Sequence, residues 1–195
     1  MAATAKGENT HTRVIETARW LVNKNGFSNT SINDIIEATG VKKGNLYFHF
    51  SSKEELGLAI LRDAADEFFQ FLSDSFQGKT PMEMLSSFFD AVLEKHRKTN
   101  FIGGCIFGNT ALEMSDRNPK FLNPIRSVFN TWVDRIANLL IEAQKLGELE
   151  SKFSPHLLAK QIVASIEGGI MMARLTKNEN DLKDCLDSLR ISLGL

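Results

Sequence analysis

The sequence predicts an all-α chain of about nine helices, with a small three-helix unit at the amino end and a larger helical body behind it. Three observations carry that reading. Apolar residues recur at three- and four-residue spacing along most of the chain, with no alternating strand pattern. Helix boundaries are marked by hydroxyl caps, prolines and glycines. Four prolines and thirteen glycines in 195 residues leave little room for long loops.

The first stripe, Val14, Ile15, Ala18, Leu21 and Val22, ends at Asn25-Gly26, and residues 1 to 9 before it are expected to be a flexible arm. A second helix starts at Thr30 or Ser31, with Asp34 in capping-box spacing from Ser31. It stops at Gly40, where glycine can take the left-handed conformation that closes a helix. Past the corner Thr39-Gly40-Val41 a third helix starts at Lys42. Ile32, Ile35, Ile36 and Leu46 face inward, Phe50 plugs the core behind the third helix and Phe27 forms a lid. Lys42, Lys43, Asn45, Tyr47 and His49 are left outside.

Two short helices around a tight corner, with cationic and aromatic groups on the second, are a helix-turn-helix. Residues 10–53 are therefore read as a DNA-binding domain. Lysines neutralise phosphates, while amides, phenols and hydroxyls bond phosphate oxygens or base edges. Thr30, Ser31, Lys42, Tyr47, His49 and Lys53 are assigned to backbone phosphates, and Lys43, Asn45 and Phe48 to the major groove. The net charge of −1 hides a polarity: through Lys53 seven Lys or Arg face four acids, a surplus of +3, whereas 16 basic and 20 acidic residues follow, −4. Screening over about 8 Å keeps the acidic body from cancelling the basic head.

The run Gly40-Val41-Lys42-Lys43-Gly44-Asn45-Leu46-Tyr47-Phe48-His49-Phe50, followed by Ser52-Lys53-Glu54-Glu55-Leu56, resembles the helix-turn-helix and the entry to helix four of the TetR family of bacterial transcriptional regulators. The match covers about the first quarter of the chain. It implies an N-terminal helix-turn-helix domain and a larger C-terminal helical domain for ligand binding and dimerisation, here 54–195. Family members commonly carry Ser before the Lys-Gly pair and Thr or Ser after it. Here Lys42 and Asn45 stand there, so base preference does not carry over.

In the body, Ser52 with Glu55 is a second capping box, opening a helix to about Phe76 along Leu56, Ile60, Ala64, Phe68, Phe71 and Leu72. Thr80-Pro81 and Ser154-Pro155 place a hydroxyl before a proline at the first helical position. Further helices are predicted near 81–98, 104–115, 120–146, 155–176 and 180–193. In the last two, Leu182, Leu186, Leu189 and Leu193 form a seam beside Leu158, Ile162 and Ile166. Those leucines and isoleucines either pack within one subunit or meet the same helices of a twin. The resemblance, in which the last two helices form a four-helix dimer interface, favours the twin for Leu158, Ile162, Ile166, Leu182, Leu186 and Leu189.

Eleven of the fourteen phenylalanines follow Lys53. Aromatics at helical spacing are usually core, but an apolar pocket with a few polar anchors is also how small-molecule sites are built. Phe68, Phe88, Phe129 and Trp132, with Cys105, Asn109 and Glu113, are candidates for a hydrophobic or aromatic effector; the resemblance implies an effector cavity in the body. Cys105, after Gly103-Gly104, supports an alternative, a thiol sensor of electrophiles or oxidants. Cys185 in the leucine seam reads as packing. The four histidines lack the Glu-x-x-His or His-x-x-x-His spacing of helical metal sites, and no phosphate loop ends in Lys-Ser or Lys-Thr. No catalytic site, metal or cofactor is expected. With no apolar run of membrane-span length and no secretory signal, the cytoplasm is the expected location. A non-specific architectural DNA-binding protein is the remaining rival, disfavoured by the acidic apolar body.

Overall fold

A computed structural model describes residues 2–150, 152 and 154–195, and among these the protein is all-α. Nine helices follow in order: α1 (Ala2–Asn25), α2 (Ile32–Thr39), α3 (Lys43–His49), α4 (Lys53–Ser75), α5 (Pro81–Lys98), α6 (Ile106–Met114), α7 (Leu122–Lys145), α8 (Pro155–Thr176) and α9 (Glu179–Leu193), with a 3₁₀ turn at Pro119–Phe121 before α7. Residues 2–9, expected as a loose arm, are helical; Met1 lies outside the described residues. Ala2, Ala3 and Ala5 are strong helix formers, and no proline interrupts them.

The chain divides into two compact units, Met1–Glu67 with Ile106–Ile125, and Phe68–Cys105 with Arg126–Leu195. The division falls inside α4 and α7 rather than at the 53/54 boundary expected from sequence. It also assigns α6 and the start of α7 to the amino-terminal unit.

In the first unit, Val14, Ala18 and Val22 of α1 pack with Ile35, Val41, Leu46 and Phe50 and with Leu56 and Ile60 of α4. Ser31 caps α2 in a complete capping box, its hydroxyl accepting from the Asp34 amide and the Asp34 carboxylate accepting from its own amide. Gly40 closes α2 at φ 66°, a left-handed conformation that costs glycine no Cβ clash. The cap on α4 differs from expectation: Ser52 Oγ accepts from the Glu55 amide, but the Glu55 carboxylate reaches back to Ser51 rather than to Ser52. Arg19 ties α1 to α4 through Asp63 at 3.0 Å and Glu67 at 2.7 Å.

The second unit has its core in Leu85, Phe88 and Phe89 of α5, Trp132, Ile136 and Leu140 of α7, and the facing sides of α8 and α9. Thr80 caps α5, with Pro81 in its first turn. Leu182, Leu186, Leu189 and Leu193 are buried against Ile162, Ile166, Ile170 and Ala173 of α8. At about 1.5–3 kcal/mol for each fully buried leucine or isoleucine, this seam is a large part of what holds α9 in place. The seam is therefore intramolecular. Gly169 makes the closeness possible, since a Cβ there would stand 2.9 Å from Leu182 Cδ1.

Gly57 does the same for the first unit: a Cβ on it would lie 2.4 Å from Phe27 Cε2 and 3.0 Å from Phe121 Cζ. Gly57→Ala is expected to lower stability by about 1–3 kcal/mol in urea unfolding through overpacking. Gly44→Ala, whose Cβ meets nothing within 4 Å, should be neutral or stabilising by up to about 1 kcal/mol. Equal effects of the two would show that space at Gly57 is not limiting.

Candidate nucleic-acid interface

The α2–α3 corner presents one face of α3 to solvent. Leu46 is buried and Phe50 closes the helix behind it, so Lys42, Lys43, Gly44, Asn45, Tyr47 and Phe48 point outward. Tyr47 is 44% exposed and Phe48 85%. A phenylalanine this open costs solvation free energy in the isolated molecule, and it suits contact with a thymine methyl or a sugar face in a groove. His49 is half-buried, edge-on to His11 at 5.7 Å and to Phe48 at 5.3 Å. His11 in turn stacks on Phe50 at 5.0 Å, so α1 supplies a ring that holds His49 in place.

Two of the residues assigned to phosphates have other work. Thr30 is fully buried, its hydroxyl donating to the Gly26 carbonyl at 2.8 Å, so its side chain secures the α1–α2 turn. Lys53 donates to the Ser28 carbonyl at 3.2 Å, with its ammonium 4.7 Å over the Phe27 ring. Burial lowers its pKa, against the attraction of Glu113 and Asp34. Ser31 remains exposed, with its hydroxyl engaged as the cap of α2.

The largest departure concerns Asn109 and Glu113. Both were assigned to an effector, yet both belong to the first unit. The Glu113 carboxylate accepts from the Phe27 amide at 2.8 Å and from the Ser28 amide at 2.6 Å. Asn109 Nδ2 donates to Asn23 Oδ1 at 2.9 Å, and Arg117 reaches Ser28 Oγ at 3.3 Å. Asn118 and Lys120 both donate to Glu54 at the start of α4. Burial pushes the Glu113 pKa up, but the hydrogen bonds from Ser28 and Phe27 outweigh it and hold the carboxyl below its ordinary value. A polar strap along α6 thus fixes the turn from which the reading helices hang.

Elsewhere, Phe68, Phe88, Phe129 and Trp132 do come together in the second unit, with Trp132 at 5.1 Å from Phe68 and 6.2 Å from Phe129. Cys105 hydrogen-bonds the buried carboxylate of Glu167, whose pKa burial raises to about 6. The charged neighbour this gives Cys105 is an acid rather than the cationic group that activates reactive thiols. Of the residues assigned to a dimer contact, Ile162, Ile166, Leu182, Leu186 and Leu189 are sealed inside the single chain and Leu158 is half-buried. The open apolar side chains of α8 and α9 are instead Leu157, Met171, Met172, Leu175 and Ile191. The α8 residues among these share a face with Gln161, Ala164 and Gly168, so its apolar character is interrupted and lay behind the stronger leucine signal.

The family model for tetR-family bacterial regulatory proteins matches residues 14–60, and the model for the tetracyclin repressor-like C-terminal domain matches 81–189, more than half of the chain. The chain belongs to the TetR family. It is 29% identical to the HTH-type transcriptional repressor DhaR of Mycobacterium sp. (strain GP1), over 83% of this chain and 80% of that protein. It is 32% identical to the transcriptional regulator AcuR of Cereibacter sphaeroides, over 85% of this chain and 76% of that one. A solved TetR transcriptional regulator from Chloroflexus aurantiacus superimposes with a TM-score of 0.91 at 32% identity, covering 97% of this chain and 96% of that one. Like its TetR relatives, the protein is a DNA-binding transcriptional regulator whose α2–α3 pair is the helix-turn-helix. No helix among the described residues is long and apolar enough to cross a membrane.

Glu113→Ala should lower stability by about 1–3 kcal/mol, because it leaves two amides without their acceptor, and should speed hydrogen exchange at Phe27 and Ser28. The same contribution has a pH window. Since the folded carboxyl titrates below 4.5, the stabilisation is complete above that value and disappears as pH falls through the lower folded pKa. Unchanged exchange at both amides in the variant would remove the strap from the account.

Proposed function

We propose that the protein is a cytoplasmic repressor that grips a pseudo-palindromic operator as a homodimer and releases it when a small hydrophobic or aromatic effector binds the second unit. The observation that carries this is the outward row of α3, where Lys42, Lys43, Asn45, Tyr47 and Phe48 are all exposed on a helix anchored by Leu46. Lys42 at the cap and Tyr47 at mid-helix flank a groove-facing set of Lys43, Asn45 and Phe48, with Ser31 and His49 at its margins. Two such helices about 34–36 Å apart read half-sites one turn apart on the same side of a duplex.

For dimerisation, the proposed surface is the open stripe of α8 with the end of α9, not the leucine seam. Leu157, Met171, Met172 and Leu175 on α8 and Ile191 on α9 are large apolar side chains left in water. Gly168 lies between them in sequence, and a Cβ there would meet nothing within 4 Å, leaving room for the close approach of a partner helix. Phe68, Phe88, Phe129 and Trp132 supply the apolar lining proposed for an effector. An effector with unequal affinity for two arrangements of the protein must, by linkage, change operator affinity. A coupling of about 1–3 kcal/mol corresponds to a 5- to 150-fold change.

Selection of genomic fragments, with binding compared to random duplex at matched salt, is the deciding experiment: a regulator should prefer its operator by ~10³-fold or more, whereas an architectural protein gives a ratio near one. On that operator Lys42→Ala should weaken all sequences alike and flatten the salt slope by about one, while Asn45→Ala should alter the ranking among operator variants. Equal, sequence-blind effects of both would contradict this division of labour. Met171→Glu combined with Leu175→Glu should convert a sedimenting dimer to monomer without loss of helicity. A dimer that persists in that variant excludes the α8 stripe as its interface.

A further inference from the structure

The second unit buries a hydrogen-bond donor that its own fold does not satisfy. Trp132 on α7 is 3% exposed, and its Nε1–H is sealed from solvent without an acceptor. Only one other buried side-chain polar atom among the described residues shares that condition, Glu167 Oε1. An unpaired buried N–H has given up water without compensation, and native structures keep few of these. The neighbours of Trp132 are rings: Phe68 at 5.1 Å and Phe88 at 6.3 Å meet it in T-shaped fashion, and Phe129 stacks at 6.2 Å. A π face is a second-order acceptor beside a carbonyl oxygen.

The burial of this aromatic set is uneven. Trp132 and Phe88 are closed off, whereas Phe68, Phe71, Phe76 and Phe129 are only partly buried against the core. Small-molecule sites pair apolar walls, which give affinity, with a few polar atoms, which give orientation, and this cluster of partly buried rings around one unpaired donor supplies both kinds of group. The charge of the occupant is constrained as well. Lys95 already lies over Phe71 at 4.4 Å and Arg135 beside Phe69 at 5.8 Å, which disfavours a second cation. Those cations engage Phe71 and Phe69 rather than the rings around Trp132, so at the indole an anion would exchange its hydration for one neutral donor, a poor trade.

We infer that Trp132 is the polar anchor of the effector site and that the effector is an uncharged, flat aromatic or conjugated molecule bearing a carbonyl-type oxygen that accepts from Trp132 Nε1. This rests on the effector reading above and narrows it to a chemical class. The rings supply stacking and edge contacts that any aromatic compound would enjoy. The indole N–H is what distinguishes a ketone from a hydrocarbon of the same shape.

The test uses the full-length protein and two probes of matched shape, 2-acetylnaphthalene and 2-ethylnaphthalene, measured by equilibrium dialysis. The ketone is expected to bind about ten-fold more tightly than the hydrocarbon, and Trp132→Phe, which keeps a ring but removes the donor, should bring the ratio near one. In a Trp20→Phe background, the remaining indole N–H resonance belongs to Trp132 and should lie further downfield with the ketone than with the hydrocarbon, whose ring current is matched, a readout that survives even if Trp132→Phe fails to fold. Equal affinity for the two probes, no binding of either, or the same resonance position with both overturns the Trp132 assignment. The effector reading itself stands or falls separately, on whether any metabolite fraction releases the protein from its operator.

Discussion

The Glu113 carboxylate, held between the amides of Phe27 and Ser28, is the constraint on which the reading head depends. Those amides lie where the chain leaves α1 and must turn toward α2, and Gly26 supports the turn at φ 91°. A Cβ at Gly26 would stand 3.1 Å from Glu113 Oε2, so the glycine provides clearance for the carboxylate as well as backbone freedom. With the turn fixed, Thr30 can close on the Gly26 carbonyl and Lys53 on the Ser28 carbonyl. The angle at which α2 delivers α3 is then a rigid property of the unit. A helix-turn-helix held only by its apolar core would keep its fold but spread over a range of presentations, and base contacts worth about 1–3 kcal/mol each need geometry tighter than that.

A second theme is the division of apolar surface between sealed and open faces. α8 carries two apolar faces, one through Ile162, Ile166 and Ile170 that meets the α9 leucines, and one with Leu157, Met171 and Leu175 that is largely exposed to solvent. A helix that is apolar on both sides is unstable against aggregation unless the second side also finds cover. Methionine on the open side tolerates imperfect complementarity, because its unbranched side chain adapts to whatever packs on it. The inner seam, by contrast, uses leucine and isoleucine against glycine, residues that define one register.

How much of this was legible depended on how local the cause was. The capping box at Ser31 and Asp34, the left-handed stop at Gly40 and the alternation of Leu46 and Phe50 with exposed neighbours follow from sequence within a few positions, and the α2–α3 corner was readable to within one residue, α3 starting at Lys43 with Lys42 as its cap. The body helices fell within a few residues of their predicted bounds for the same reason, since prolines at 81 and 155 mark their starts. What failed was partner choice at long range. Glu113 and Asn109 are polar groups one turn apart on one helix, and nothing near them in sequence says that they meet residues 23 to 28 rather than a ligand. The leucine seam likewise announces that it needs a partner but not whether that partner lies on the same chain. Thr30 looked like a phosphate contact because a hydroxyl at a helix start serves equally well as an internal tie.

The chain changes units at 67/68, 105/106 and 125/126. Two of these crossings lie inside continuous helices, α4 and α7, and the third is the first residue of α6. An α-helix resists bending because each turn is tied to the next, so a rotation imposed at Phe68 or Arg126 is passed along rather than absorbed. Gly103 and Gly104, both at positive φ, turn the chain into the third crossing. Glu113 sits about two turns into the helix that follows, where it holds the turn before α2. A strap made of two hydrogen bonds is comparable in size with the ~1–3 kcal/mol by which coupled ligand sites bias one another, which sets the scale at which the presentation of α3 can be shifted.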